Sequence, residues 1–584
     1  MNWRFSNNKI TPNKSYHFKE VSDSLFLIYN KSIIFKDIDN NNWIFIDGYI
    51  LPRHSCYNKY KDFSPEELVV ELFKEYGVKF IDYIKGVFSI VIKNNDKLFV
   101  FVDRHSIKKI FYKKTNDSII VSDEINGITQ LEPIELDREN AAIFILLSHY
   151  LPGSTMFKNI NVINAGSYLV IENNSVREEY YWKLNELIIK RESLITDFNK
   201  QAELWKNIIN EYVAYINPKK VSITLTGGND SRMVLSALIS LNTPLNAFSY
   251  GNPDSEDVKI SELISKKENI SYKNYFLSKS IQNEFKNNVN EIICYGNTLI
   301  NLHRAHRNQA VKKHHCENPK NEMIFTGLVG GEYIKGADFD NIVLPKLFDE
   351  INNKKNYIDK ISYIKRLLID KGVCESKIDI DIVLNRVESF LSLSRNCSFL
   401  ESKFIYTYYY YGAVHHTQDS NIFAHYLKNV VNPFMDIDFI EILSKSDFWH
   451  LNDRKTKVLK KLFGSYYHVK ITDILAPKLS NIPYAKKGQY TAEEMLNNRL
   501  KYIYSRGVEY FRSKSNVVQN FPMGTWLYNY CKKELDVLHE DISDIFRPDF
   551  CKNKIEEIKE YTSEAKWHDV TNIINLNLNY NDQL

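Results

Sequence analysis

Short apolar runs alternate with polar turns through the first ~130 residues, the pattern of β-strands. "WIFIDGYIL", "GVFSIVI", "KLFVFVD" and "SIIVSDE" are the clearest examples. One segment breaks the rhythm. "SPEELVVELFKEYG" sets Ser64 three residues before Glu67, ahead of an apolar stripe that Gly77 stops, and predicts a capped helix. A sheet-rich domain is expected to end near "REEYYWKL", placing a first domain over residues 1–190. From about residue 195 the period lengthens: "DFNKQAELWKNIINEYVAYI" reads as a helix leading into the strand "VSITLT", the helix "DSRMVLSALISL" and the strand "LNAFSY". Strand, helix, strand in that order predicts a parallel sheet. "EMIFTG" is a candidate third strand, and beyond about 350 the chain reads as almost all helix, so a second domain is expected over 195–584.

Composition narrows the function classes. The chain has 584 residues, is 44% hydrophobic and 25% charged, and carries a net charge of only +4, so nothing electrostatic argues for a nucleic-acid partner. No apolar stretch is long enough to span a bilayer, and the start lacks a signal-peptide pattern. Seven dispersed cysteines without a C-x-x-C pair fit a reducing compartment, so a cytoplasmic protein with no membrane partner is expected.

Candidate chemistry concentrates in "TLTGGNDSRMVL", Thr224 to Leu235. A strand ending at Thr226 would deliver Gly227 and Gly228 to the sheet's carboxyl edge, where glycines let the backbone approach a ligand and the next helix aims its positive end at it. Ser231 can donate to a phosphate oxygen, and Asp230 can hold a magnesium ion. The G-K-[ST] ending of a Walker A loop is missing. Taken alone, the segment reads equally as a Gly-Gly turn with Asp230 as helix N-cap.

"LTGGNDS" resembles the S-G-G-x-D-S pyrophosphate loop of N-type ATP pyrophosphatases, and among them the asparagine synthetase family. "AFSYGNPDSEDVKISELISKK" is similar to that family's second strand and acid-bearing helix, which implies Tyr250 near adenine and Asp257 at the acidic position. "IFTGLVGGEYIKG" resembles S-G-E-G-A-D-E-L-F-G-G, which implies Thr326 and Gly327 beside the nucleotide together with Leu225, Thr226, Gly227, Gly228, Asp230 and Ser231. "VNPFMDIDFIEIL", "KTKVLKKLFG" and "IPYAKKGQY" resemble the later segments. Among these the resemblance implies Lys486 as a catalytic lysine, with Lys487 as rival and a solvated Lys-Lys pair as the plain alternative. In the amino-terminal half, "IKGVFSIVIKNNDKLFVFVDRHSIKKIFYKKTNDSIIVSDEI" resembles a class II glutaminase domain. The resemblance implies an α/β protein: an amino-terminal α+β sandwich, then a parallel-sheet ATP pyrophosphatase domain with many helices, binding ATP and Mg2+.

Several positions depart from the pattern. Asn2 follows the initiator where glutamine-dependent members have a nucleophilic cysteine, and Asp47-Gly48-Tyr49 replaces the glutamine-gripping N-G-E. Glutamine hydrolysis is therefore expected to be lost. Leu328 and Gly331 stand where the pattern has an acid near the reacting centre and a second metal-binding aspartate, leaving Asp230 and Glu332 as the candidate metal ligands. His314, His315 and Cys316 lack metal-ligand spacing, His415 and His416 are candidates for a substrate pocket, and "FPMGTWLYNYCKKEL" reads as a docking helix.

These features point to an AMP-forming amide synthetase that adenylates a carboxylate of a peptide or natural-product precursor. Family members with a degenerate first domain include β-lactam synthetases and the macrolactam-forming cyclases of lasso peptides, so peptide cyclisation is the specific expectation, with a precursor-processing protein as a possible partner. The alternatives are an ammonia-dependent asparagine synthetase and an inactive peptide- or nucleotide-binding scaffold.

Overall fold

The structure is a computed structural model that describes residues 3–6, 16–22, 25–30, 33–39, 41–116, 118–276, 279–296, 305–336, 343–354, 356–410, 412, 417–452, 463–485, 490–512, 525–547, 549–559 and 564–584. Strands in the amino-terminal half are β1 (Trp3–Ser6), β2 (Tyr16–Ser22), β3 (Leu25–Asn30), β4 (Ile34–Asp37), β5 (Trp43–Pro52) and β6 (Ile84–Asn94). They continue as β7 (Lys97–Val102), β8 (Phe111–Lys114), β9 (Ile119–Ser122), β10 (Ile160–Val162), β11 (Ser167–Glu172) and β12 (Ser175–Tyr180). These form two antiparallel sheets, ordered β10-β8-β9-β1-β3-β2 and β12-β11-β7-β6-β5-β4.

Alternation along each strand sorts the side chains between two layers. Phe45, Val91, Val100 and Leu169 face Trp3, Phe5, Leu27 and Val121 of the other sheet, so the two sheets pack face to face. Their neighbours Ile44, Ile46, Ile90, Ile92 and Phe101 point the other way, onto helix α1 (Pro65–Tyr76) through Leu68, Val69 and Leu72. The sequence-predicted cap is present: Ser64 accepts from the Glu67 N–H at 3.4 Å and Glu67 accepts from the Ser64 N–H at 3.0 Å. Gly77 ends the helix at φ 57°, a backbone that glycine adopts without a Cβ penalty. Helix α2 (Arg138–Leu147) covers the outer face of the first sheet, where Phe144 and Ile145 join Phe111 and Ile120.

Past α3 (Phe198–Ile216) comes the parallel sheet: β13 (Val221–Thr224), β14 (Leu245–Tyr250), β15 (Ser271–Tyr275), β16 (Met323–Phe325) and β17 (Asn429–Val431), ordered β15-β14-β13-β16-β17. All four pairings are parallel. Chain order reverses at β13: β14 and β15 lie to one side, β16 and β17 to the other. Crevices at the carboxyl ends of strands flanking such a switch bind ligands in open α/β sheets. Each face is covered, with Ile223, Phe325 and Val431 in one core and Phe248, Ile324 and Val430 in another. The first of these cores is continuous from Leu51 to Tyr580 and so runs through both halves.

Two expectations need correction. "VSITLT" is strand only to Thr224, because Leu225 turns out of the ladder while its N–H still reaches Phe248 O at 2.8 Å. The segment read as a docking helix contributes Thr525–Leu535, whose Leu527 and Cys531 are fully buried against the sheet's second core; its apolar face is already covered by its own chain.

Buried charge joins the halves. Lys85, 2% exposed, holds Glu211 at 2.8 Å, Asp438 at 2.9 Å and Asp436 at 3.1 Å. Arg53 adds Asp438 at 2.8 Å and Glu441 at 2.6 Å. Among the described residues no helix is long and apolar enough to cross a membrane.

Candidate active site

Residues 225–231 leave β13 and close a tight turn before helix α4 (Asp230–Ser240). Ser231 Oγ accepts from the Thr226 N–H at 3.1 Å and donates to Thr226 O at 3.2 Å. The Gly227 N–H donates to Asp257 Oδ1 at 3.1 Å, and the Gly228 N–H to Thr226 Oγ1 at 3.3 Å. Asp257 lies in the first turn of α5 (Glu256–Lys267) and therefore props the loop from the neighbouring βα unit. Asn229 precedes the helix and Asp230 is its first residue, without a side-chain cap bond, so Asp230 is not the helix N-cap. Its carboxylate is left for the crevice.

The far wall of that crevice is the end of β16. Gly327 packs so closely on the start of α4 that a Cβ would lie 2.5 Å from Ser231 N. The Thr326 N–H bonds Val431 O at 3.0 Å, while its buried hydroxyl has no partner among the described residues. Asn229 Oδ1 is likewise buried without a donor. Buried polar atoms without partners are costly, and here two flank a switch-point crevice of a parallel sheet. The Thr326 hydroxyl can donate to an anionic ligand there, whereas Asn229 Oδ1 can only accept and calls for a ligand or water hydrogen. Val329 follows at φ 61°, a left-handed backbone in which a β-branched residue is strained, at the start of α6 (Ala305–Glu317)'s successor helix α7 (Gly330–Lys335).

Asp230 has company that the local sequence does not reveal. His468, fully buried on α8 (Tyr466–Leu475), brings Nε2 to 2.9 Å from Asp230 Oδ1. Burial alone would raise the Asp230 carboxyl, but His468, the Lys335 ammonium and the Gly331 N–H together hold it below the usual carboxylate range. Gly331 offers no side chain, and Lys335 shares its face of α7 one turn on. Glu332 is half-buried on the same helix, a step of about 100° around from Gly331. Among the described residues no group of three or more His, Cys, Asp or Glu is placed to hold a metal ion. Gly331 contributes no second carboxylate beside Asp230.

A third element closes over the loop. Arg232, fully buried on α4, donates to Ile482 O and Pro483 O, each at 2.8 Å, and stacks its guanidinium 3.9 Å from the Tyr484 ring. The Ala485 N–H bonds Gly227 O at 2.9 Å. Lys486 and Lys487 follow Ala485 in the chain but lie outside the described residues, as do His415 and His416.

Other candidates resolve individually. Tyr250 ends β14 on the same sheet edge, with Arg307 5.9 Å from its ring. Leu328 is half-buried beside the main core. His314 is a core residue: Nε2 lies 2.9 Å from Ser222 Oγ, Nδ1 lies 3.2 Å from Tyr275 OH, and its ring stacks on Phe248 at 4.1 Å. In the amino-terminal half Asp47 Oδ1 pairs with Lys108 at 2.8 Å while Asp47 Oδ2 is buried without a partner among the described residues, and Tyr49 OH donates to Val430 O at 2.7 Å.

Sequence reasoning missed His468, Lys335 and Arg232. Arg232 carried a signal, a charged residue inside an apolar helix. The other two carried none, since only the fold brings them to the loop.

Residues 51–182 match the glutamine amidotransferase domain family. Asparagine synthetase [glutamine-hydrolyzing] 2 of Bacillus subtilis is 30% identical over 191 residues, 30% of this chain and 25% of that protein. Microcin J25-processing protein McjC of Escherichia coli is 27% identical over 198 residues, 34% of this chain and 37% of its own length. Amidase chry2 of Gibberella zeae is 26% identical over 195 residues, 31% and 27% of the two chains. The chain thus spans about a quarter to a little over a third of the curated relatives it matches.

Proposed function

We propose, on the premise that this chain belongs to the asparagine synthetase family, that it is an ATP-dependent amide synthetase which activates a carboxylate as its adenylate. The observation that carries this reading is the crevice between the ends of β13 and β16, where Thr226–Ser231 and Thr326–Gly327 face one another and Thr326 Oγ1 is buried without a partner among the described residues. Adenylation turns a poor electrophile into a mixed anhydride, and an amine then displaces AMP. This chain's residues bind and orient the phosphates, and a lysine is the proposed stabiliser of the negative charge built up as pyrophosphate leaves; we assign Lys486 that role, with Lys487 its neighbour in the sequence. Magnesium enters as the ion that accompanies ATP in solution, and no protein step is assigned to it.

Peptide cyclisation is the specific form of the reading. Similarity to a microcin-processing protein supports a peptide precursor, and joining two ends of one molecule draws its acceleration from holding them together. The Asp47–Lys108 pair and the Tyr49 hydrogen bond support an amine, rather than ammonia released from glutamine, as the nitrogen donor. A precursor-processing protein is the proposed partner.

The test separates AMP, ADP and pyrophosphate after incubation with ATP, magnesium and a candidate precursor, with Asp230→Ala alongside. Precursor-stimulated AMP and pyrophosphate, absent in Asp230→Ala, are expected. Formation of ADP would exclude the adenylating reading. Absence of turnover with a verified precursor and partner would favour the binding scaffold.

A further inference from the structure

Lys335 sits where a side chain on Gly331 would project. A Cβ built on Gly331 would lie 3.1 Å from Lys335 Cε, 3.6 Å from its Nζ and 3.4 Å from Asp230 Oδ2. Ammonium and carboxylate therefore occupy two sides of one side-chain-sized gap, and that gap exists because residue 331 is glycine. The ammonium is also tied to the loop: Nζ donates to Ser465 Oγ at 3.4 Å, which in turn accepts from Asn229 Nδ2 at 3.0 Å. Lys335 is half-buried, so its head remains within reach of a ligand in the crevice.

We propose that the Lys335 ammonium acts as the fixed cation of the phosphate site, bridging the Asp230 carboxylate to a phosphate oxygen of a nucleoside triphosphate in place of a second divalent ion. The inference rests on the nucleotide reading above. An ammonium has three donors: Ser465 Oγ takes one, and with a nucleotide bound the others go to the Asp230 carboxylate, which faces it across the gap without a direct ion pair, and to one phosphate oxygen. A divalent ion needs several oxygen ligands, and with Gly331 bare the protein presents few. Lysine supplies a compact charge that needs no such cage. Asp230 then acts as a positioning residue, holding the ammonium toward the crevice.

Binding of ATP to the intact chain, measured by calorimetry with magnesium and again with EDTA, tests this. The wild-type dissociation constant in EDTA is expected within about tenfold of its value in magnesium. Lys335→Met should weaken binding in EDTA by at least about tenfold, the loss of one charge-assisted contact, and by less in magnesium. Lys335→Arg, which keeps the charge, should retain most of the metal-free binding; this separates lost charge from misfolding. The pair Gly331→Asp with Lys335→Gly should bind only with magnesium. Wild-type binding that collapses in EDTA, together with unchanged binding by Lys335→Met, overturns the role of the lysine and leaves the nucleotide reading standing. Absence of ATP binding by the wild-type chain in both buffers overturns the nucleotide reading and the lysine's role with it.

Discussion

At Gly327 the end of a strand meets the first turn of a helix, and the contact is between backbones. A methyl group there would lie 2.5 Å from Ser231 N and 2.7 Å from Ser231 Cα, atoms that move only if the helix moves. Gly327→Ala is therefore expected to destabilise the fold by about 1–3 kcal/mol through overpacking and to weaken ATP binding. Gly228 differs: the nearest neighbour of its missing Cβ is Thr226 Oγ1 at 3.3 Å, a side-chain atom with room to give. Gly228→Ala should keep wild-type stability. Urea denaturation of both variants, with and without ATP, checks the contrast.

Helix α4 carries function at one end and a clasp along its side. Arg232 donates to backbone oxygens of Ile482 and Pro483 and lies on Tyr484, so the helix that follows the Gly-Gly turn also holds residues 482–484. Arg232→Met should cost about 2 kcal/mol or more, since buried carbonyls lose their donor. It should also open residues 482–485 to limited proteolysis and lower the adenylation rate. Arg232→Lys keeps the charge but not the planar fork, and is expected to restore only part of the protection.

For the molecule as a whole, the joint between halves is electrostatic as well as apolar. Burial raises the Asp438 carboxyl, yet Lys85 and Arg53 outweigh it and hold it well below the usual range. Removing the Lys85 ammonium leaves three buried carboxylates close together with only Arg53, His54 and Tyr212 to offset them, so Lys85→Met should lose about 3–5 kcal/mol at neutral pH. Much of that loss should disappear on acidification, as the carboxylates take up protons; denaturation at two pH values measures it. The wild-type protein should behave in the opposite sense. Burial lowers His105, His149 and His314 to about 4 each. His105 explains why: Tyr408 OH meets Nδ1 and Nε2 lies 2.6 Å from Met435 O, an arrangement for a neutral ring. The unfolded chain binds these protons near pH 6.5 and the folded chain refuses them, so stability present above 6.5 is lost progressively as pH falls toward 4. Urea midpoints between pH 7.5 and 4.5 check the slope.

Sequence by itself determined what depends on neighbours along the chain. Period-2 runs became the two antiparallel sheets, Ser64 and Glu67 became a capping box, and the order of apolar strand, Gly-Gly turn and helix became a strand–turn–helix unit at a parallel sheet's edge. These follow from local sterics and from which face must be buried. Tertiary structure alone decided the surroundings of that turn. His468 and Lys335 reach Asp230 from helices distant in the chain, Asp257 takes the Gly227 N–H from the next βα unit, and His105 meets Tyr408 across 303 residues. Even the covering of the sheet's second face by Leu527 and Cys531 was invisible locally, since an amphipathic helix has the same pattern whether it docks on a partner or on its own chain. Charge at a site is the sum of what the fold gathers there, and a short motif carries only its own share.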